Sequence, residues 1–391
     1  MEQMPVQTPE KPAIPPETAR MKSRFSRSGL SVAALYGTIA EGQTISFILI
    51  AMFTVVWMIV HPMPYFDIKQ FLSDPSSALT YLRQDGFISI ALTIFLLCQA
   101  ASWGVAIPLM RLVLPQSSPI PKRTLPFGRF LLIALMIFGV WGVGAVLGNL
   151  SSFFGAETET VFSVELLGKD ILPYLIYAVI GAPVFEELTF RKVLLDGLHD
   201  THEGYAAVIS ALLFGLMHGN HMQFFLAFFI GLIFAMVYQR TGRVIYSMIL
   251  HAMINFTATL PELLSLWDVD ISRGWNIAVL VLIVAGLIAL FALRRDPFLH
   301  APKCTVPDAN RAVYKNPGMR IVRIAGLVLI GAQGVLTIAM GAAQDPSNLF
   351  GHLIGLIPLA LSFLTILLLP KFTKRYEAKP EEPAALAEGS V

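Results

Sequence analysis

Charged side chains inside apolar stretches are the residues of this sequence best able to do chemistry. Glu186, Glu187 and Arg191 stand at the end of an apolar run that starts at Ile171 and has the composition of a membrane helix. A charged side chain at the bilayer centre costs about 2.5–3.5 kcal/mol on insertion scales. Two adjacent carboxylates therefore predict a functional site rather than a helix that only spans.

The spacing of these residues assigns them to different helical faces. Glu187 and Arg191 are four residues apart, so they lie on one face and can pair. Glu186 is turned away by about 100° and is free to face another group. Pro183 stands just before them, and a proline frees the carbonyl four residues earlier and tends to kink the helix. We expect a polar opening in the helix at this point.

Two further apolar segments carry polar residues at helical spacing. His218 follows Phe214 by four residues and ends its segment next to Gly219, and His251 and Asn255 lie one turn apart in another segment. A carboxylate, two histidines and an amide from three helices are the groups that hydrolysis by water needs. The carboxylate accepts the water proton, a histidine orients the water, and two donors stabilise the oxyanion.

Each of these residues also has a structural interpretation. A histidine such as His218 often only hydrogen-bonds a neighbouring helix, and His221 in the tight turn after Gly219 is best interpreted in that way. Asn255 could link two helices. The Glu187–Arg191 pair favours a structural role over a catalytic one. The co-occurrence of the three sets, rather than any one of them, indicates a site.

The elements that must position these residues are membrane helices. The chain has 391 residues, of which 55% are hydrophobic and 14% charged, whereas soluble domains have about 25% charged residues. Apolar segments of roughly spanning length fall at 43–60, 87–108, 130–148, 171–193, 204–218, 222–238, 244–260, 275–293, 324–342 and 349–369. The predicted fold class is all-α: a polytopic membrane helical bundle of about ten transmembrane helices.

The distribution of Lys and Arg sets the orientation. With the N-terminus inside, only Lys69, Arg83, Lys169 and Arg273 of the 28 Lys and Arg residues fall outside, as the positive-inside rule requires. Both termini are therefore expected to be cytoplasmic. This topology puts Glu186 toward the cytoplasmic end of its helix and His218 near the outer side, unless the short fifth segment starts deep.

Composition divides the chain into five regions. We expect a disordered cytoplasmic tail at 1–28, N-terminal membrane helices at 29–150, a catalytic core at 171–260, additional C-terminal membrane helices at 275–369, and a disordered tail at 370–391. No basic run is interleaved with aromatic residues in the manner of a nucleic-acid site, so no nucleic-acid partner is expected. Matched halves of the transporter type are not evident.

The three motifs together resemble the CAAX prenyl-protease and bacteriocin-processing (CPBP) family of intramembrane endopeptidases. That family's pattern is Glu-Glu-x-x-x-Arg, then Phe-x-x-x-His, then His-x-x-x-Asn, and the motifs occur here in that order. The resemblance implies that Glu186 activates water with help from His218, that His251 and Asn255 form the oxyanion hole, and that Glu187 and Arg191 support the site.

The same resemblance sets expectations for partners. It implies a peptide or protein substrate, lipidated in some members, cleaved near the surface of the lipid bilayer, and a multi-pass protein of a bacterial inner membrane. We expect no metal cofactor, because none of the motifs is the His-Glu-x-x-His arrangement of zincins. Two alternatives stay open: the same chemistry run with a zinc ion on Glu186, His218 and His251, and a non-catalytic membrane scaffold or bacteriocin-immunity-type protein.

Overall fold

Helices form almost all of the chain that the computed structural model describes, which is residues 14–378 without 61–85, 118, 149–167, 345–349, 351–353 and 355. The described helices are α1 (Pro16–Val60), α2 (Phe87–Val113), α3 (Phe127–Gly148), α4 (Lys169–Leu198), α5 (Glu203–Met217), α6 (His221–Thr241), α7 (Val244–Ser265), α8 (Ser272–Leu293), α9 (Ala309–Tyr314), α10 (Pro317–Gln344) and α11 (Leu356–Thr373). Across these ranges β pairing is confined to an isolated bridge between Cys304 and Glu377. The predicted all-α class is confirmed.

The helices are those of a multi-pass integral membrane protein. Within the described ranges, nine helices are long and apolar enough to cross a bilayer, and α5 is a shorter apolar helix. These agree with the ten apolar segments found in the sequence. The two cysteines, Cys98 and Cys304, are both free.

The N-terminal helix corrects the boundary expected at residue 28. Helix α1 begins at Pro16 and runs for 45 residues, about 68 Å at 1.5 Å per residue, which exceeds the hydrocarbon thickness of about 30 Å. Met21 and Phe25 are buried at 2% and 0% exposure. Residues 16–28 are therefore a packed helix, because apolar residues recur every three to four positions among the charges. Residues 1–13 lie outside the described ranges.

The C-terminal boundary needs a similar correction. Helix α11 continues to Thr373, and a turn of 3-10 helix covers Lys374–Tyr376. The Cys304 N–H then donates to the Tyr376 carbonyl, and the Ala378 N–H donates to the Cys304 carbonyl at 2.9 Å. The chain from 370 to 378 is thus docked on the loop before α9 rather than disordered. Residues 379–391 lie outside the described ranges.

The motif-bearing helices pack around α5 and α6 at the centre of the bundle. Helix α6 is mostly buried, and Phe234 on it has no exposed area. His221, at its first turn, lies 3.3 Å from Gln333 Oε1 on α10 through Nδ1, and its carbonyl accepts from Ser362 on α11 at 3.4 Å. The structural interpretation of His221 is supported, since the residue ties the core to the C-terminal helices.

Candidate active site

Helix α4 is irregular on both sides of the paired glutamates. The segments Tyr177–Gly181 and Leu188–Leu195 are π-helical, and the α-helical turn Ala182–Glu187 lies between them. Such π segments inside α-helices occur frequently at functional sites. The opening expected at Pro183 is present, but it takes the form of wider turns that set Glu186 and Glu187 on the inner side of the helix.

Pro183 frees a different carbonyl from the one expected. The Ala182 N–H donates to the Tyr177 carbonyl, five residues earlier. If this π-helical pattern continued, the N–H of residue 183 would donate to the Ala178 carbonyl. Proline has no N–H. The Ala178 carbonyl instead accepts a hydrogen bond from Asn255 Nδ2 of α7 at 2.7 Å. The freed acceptor is therefore five residues before the proline, and Asn255 joins α7 to it.

The pair expected between Glu187 and Arg191 forms in full burial. Arg191 Nε lies 3.1 Å from Glu187 Oε2, and both side chains have 0% exposure. Arg191 Nη1 also donates to Ser210 Oγ on α5 at 3.0 Å. The guanidinium carbon stands 4.9 Å from the ring centre of Phe214 and 5.7 Å from that of Phe234. The cation therefore joins α4, α5 and α6.

His251 lies between the two glutamates. Its Nδ1 donates to Glu187 Oε1 at 3.2 Å, and its Nε2 lies 3.8 Å from Glu186 Oε2. Glu186 Oε2 is buried and has no hydrogen-bond partner within the described part of the chain. The ring of His251 also packs between Phe214 and Phe234, with ring centres 5.8 and 5.3 Å away. One imidazole thus connects the glutamates, which face different directions.

His218 shares a cavity with His251 and Asn255. These three residues line a space of about 110 Å³ together with Phe214, Gln223 and apolar residues of α6 and α7. His218 Nδ1 donates to the Phe214 carbonyl at 3.0 Å, which leaves Nε2 available as an acceptor. No hydrogen bond joins His218 to Glu186 among the residues described. The cavity has room for several water molecules.

Glu186 and His218, expected toward opposite sides of the bilayer, both lie near His251 and Phe214. His251 Nε2 is 3.8 Å from Glu186 Oε2, the ring centres of His251 and Phe214 are 5.8 Å apart, and those of Phe214 and His218 are 5.1 Å apart. Helix α4 continues to Leu198 rather than ending at 193, so Glu186 lies twelve residues, about 18 Å, from the C-terminal end of α4. Helix α5 has 15 residues and rises only about 23 Å. Both residues thus lie about 20 Å along their helices from the turn between α4 and α5.

Three contributors to the site were missed in the sequence. Ser210 precedes Phe214 and His218 on one face at intervals of four, and this spacing could have revealed it. Phe234 sits in an apolar helix without any distinguishing signal. The Ala178 carbonyl is a backbone group, and its availability depends on the π-helical register. The last two depend on how the helices pack.

The residues present give no assembled metal site. Within the described residues, no group of three His, Cys, Asp or Glu side chains is arranged to hold a metal ion. His251 uses Nδ1 for Glu187 and His218 uses Nδ1 for a carbonyl, so each retains only Nε2 for another partner. Metal dependence stays a prediction to be tested with a chelator.

Comparisons with known proteins agree with the motifs. Residues 168–257 match the family described as type II CAAX prenyl endopeptidase Rce1-like. YdiL of Bacillus subtilis (strain 168), a candidate membrane peptidase, is 26% identical over 157 residues, which are 37% of this chain and 64% of that protein. The membrane-embedded CAAX protease MroQ of Staphylococcus aureus (strain USA300) is 27% identical over 126 residues, 30% of this chain and 51% of that protein.

The similarity is concentrated in the helices that carry the site. The chain spans less than two thirds of the length of either relative, and no solved structure is significantly similar to it. The matched segment begins just before α4 and ends two residues after Asn255. Residues 168–257 are thus similar to type II CAAX prenyl endopeptidases and to two membrane proteases of bacteria, in agreement with the CPBP-type motifs of the sequence.

Proposed function

We propose that the protein is an intramembrane endopeptidase of the CAAX protease type, which hydrolyses a peptide bond near the membrane surface with a water activated by Glu186. The observation that carries the proposal is the state of Glu186 Oε2, which is buried without a hydrogen-bond partner and lies 3.8 Å from His251 Nε2. A buried carboxylate oxygen without a partner is costly. A water molecule that donates to it would remove this cost and would itself be made nucleophilic.

The proposed reaction begins with proton transfer from this water to Glu186. The oxygen of the water bonds to the carbonyl carbon of the substrate, and the carbonyl oxygen becomes an oxyanion. The carbon–nitrogen bond then breaks, and Glu186 returns the proton to the leaving amine. General acid–base catalysis of this kind contributes about 10²- to 10⁴-fold to the rate.

His251 is proposed to stabilise the oxyanion in its doubly protonated form. A carboxylate only accepts hydrogen bonds, so Nδ1 must carry the hydrogen that points at Glu187. Nε2 can then donate only when the ring is cationic. Two carboxylates, one guanidinium and one imidazolium have no net charge. The cationic ring therefore balances the buried cluster and supplies the donor that an oxyanion needs.

His218 and Asn255 are proposed to complete the site from the cavity side. His218 keeps Nε2 free as an acceptor for the attacking water. Asn255 Nδ2 carries two hydrogens, and the Ala178 carbonyl takes one of them. The second hydrogen remains for the oxyanion, so the structural and catalytic interpretations of Asn255 are compatible.

The substrate class is proposed from the matched family. The matched family is described as prenyl endopeptidases, so the proposed substrate is a peptide or protein whose scissile bond is presented at the membrane. MroQ, one of the two relatives, is named as a CAAX protease. Peptides with a lipidated cysteine near the C-terminus are therefore the first substrates to test.

The test compares Glu186→Gln with Glu262→Gln in detergent-purified full-length protein, using a panel of lipidated and unlipidated peptides. Glu262 is an exposed carboxylate on α7 outside the cluster, so its replacement controls for the loss of one charge. We expect cleavage by the wild type and Glu262→Gln, a reduction of about 10²-fold or more in Glu186→Gln, and no effect of a chelator.

Two results would contradict the proposed mechanism. Full cleavage by Glu186→Gln would remove Glu186 as the base. Loss of cleavage on chelation, with recovery on addition of zinc, would assign Glu186 and the histidines to a metal. The scaffold alternative would be favoured by a different result. In cells that lack the native protein, the Glu186→Gln and His251→Ala variants would then restore the same phenotype as the wild type.

A further inference from the structure

A second cavity, of about 810 Å³, opens beside the first turn of α10, against α9 and the first part of α1. It shares no lining residue with the cavity at the candidate active site. Its charged lining consists of five cations and one carboxylate: Lys22, Arg311, Lys315, Arg320, Arg323 and Asp308. The lining therefore has a large excess of positive charge.

The five cations are not neutralised by the protein. Among the described residues, none of them forms an ion pair with a carboxylate. Arg323 is the innermost: its Nη2 donates to the Ile366 carbonyl of α11 at 3.0 Å, but its Nε is buried and has no hydrogen-bond partner. Buried donors are normally satisfied. The arrangement therefore favours an anionic ligand that accepts several hydrogen bonds.

The cavity lies at the first turns of α10, where an exposed apolar face of that helix begins. Arg320 is followed directly by Ile321, and the side chains of Ile321, Ile324 and Val328 are exposed at 62%, 52% and 64%. Their spacing of three and four residues places them on one face of the helix. An apolar strip that faces the lipid therefore begins next to the basic cavity, on the side that the Lys and Arg distribution predicts to be cytoplasmic.

We propose that this cavity binds the phosphate of an anionic phospholipid headgroup, with the acyl chains along Ile321, Ile324 and Val328. Basic pockets between transmembrane helices on the cytoplasmic side suit such headgroups. The apolar strip is the feature that selects a lipid over a soluble phosphate. Asp308, the one carboxylate in the lining, can accept from a hydroxyl of a headgroup such as glycerol.

The test measures binding of fluorescent phosphatidylglycerol to detergent-purified full-length protein. The variant is Arg311→Gln/Arg320→Gln, in which both replaced side chains are exposed. The matched control is Arg294→Gln/Arg295→Gln, which removes two exposed charges at the end of α8, outside the cavity. Competitors are phosphatidylcholine, glycerol 3-phosphate and inorganic phosphate. Unfolding of each variant in phosphatidylcholine micelles verifies that it is folded.

We expect the affinity for phosphatidylglycerol to fall about thirtyfold in the cavity variant, because each basic side chain near a membrane surface contributes about fivefold. The control should bind like the wild type, and the soluble phosphates should not compete at concentrations similar to that of the lipid. Equal binding by the cavity variant and the wild type would overturn the proposal, as would an equal loss in the control. Effective competition by inorganic phosphate would show a site for a soluble anion instead.

Discussion

Glu187→Gln should destabilise the protein strongly, because it leaves a guanidinium buried without its carboxylate. Glu187 and Arg191 both have 0% side-chain exposure and lie 3.1 Å apart. Removing one member of such a pair costs about 3–5 kcal/mol. The Arg191 guanidinium keeps its hydrogen bond to Ser210 and its contacts with Phe214 and Phe234. We therefore expect a loss of unfolding free energy at the lower end of this range, about 3 kcal/mol.

The double variant Glu187→Gln/Arg191→Met separates burial of a lone charge from loss of packing. A methionine removes the unpaired cation, so at least half of the lost stability should return, since apolar replacements of buried ion pairs are often neutral. Peptide cleavage should stay low in both variants, because His251 has lost the carboxylate that holds its Nδ1.

The measurement is the free energy of unfolding in mixed micelles, followed by the helical circular dichroism signal. Glu203→Gln is the control, since the Glu203–Arg240 pair is 30% and 26% exposed and should contribute about 1 kcal/mol or less. A loss below about 1 kcal/mol in Glu187→Gln, or a double variant no more stable than the single one, would refute this account of the pair.

Three further predictions use the same unfolding measurement. Asn255→Leu should lower the free energy of unfolding by about 1–3 kcal/mol, because the Ala178 carbonyl loses its hydrogen-bond partner. Unchanged stability would contradict the structural role of Asn255 and leave only the catalytic one. Gly286→Ala should lose about 1–3 kcal/mol, because its Cβ would meet the backbone of α3, whereas Gly104→Ala faces open space and should not be destabilised. Burial lowers the pKa of His202 below its usual 6.5, so the unfolded chain binds the extra proton first as pH falls. The stability of the wild type relative to His202→Asn should therefore be constant above about pH 7 and decline below about 6.5; a parallel pH dependence of the two proteins would contradict this.

The sequence was sufficient to predict contacts within one helix. Glu187 and Arg191 pair because residues four apart on a helix face the same side, and the apolar segments follow from the thickness of the bilayer. The contact of Glu187 with His251, 64 positions away in the chain, depends on how α4 and α7 pack. Spacing within either helix carries no information on it.

The extent of α4 was underestimated for a physical reason that local hydropathy does not capture. Lys192 and Asp196 interrupt the apolar run, but Lys192 Nζ lies 2.6 Å from Asp196 Oδ2, and the buried Tyr238 hydroxyl donates to Asp196 Oδ1 at 2.6 Å. These partners allow the helix to continue past residue 193. Since the position of Glu186 is counted from that end, the extra residues also place it about as far from the α4–α5 turn as His218.

The order of charges explains how four ionisable groups can share a buried site. Along the row Arg191, Glu187, His251 and Glu186, each group lies next to one of opposite sign when the ring is cationic. Glu186 stands at the end of the row, with one neighbour at 3.8 Å and an oxygen that has no hydrogen-bond partner. Glu187 Oε2 also has no hydrogen-bond partner among the described residues, but it lies 3.1 Å from Arg191 Nε, and the other oxygen of Glu187 accepts from His251. Protonation of Glu187 would therefore weaken its contacts with two cations, whereas Glu186 has only one such neighbour in the row. We therefore infer that Glu187 cannot replace Glu186 as the base, and that Glu186→Gln/Glu187→Asp should be no more active than Glu186→Gln alone in the cleavage assay.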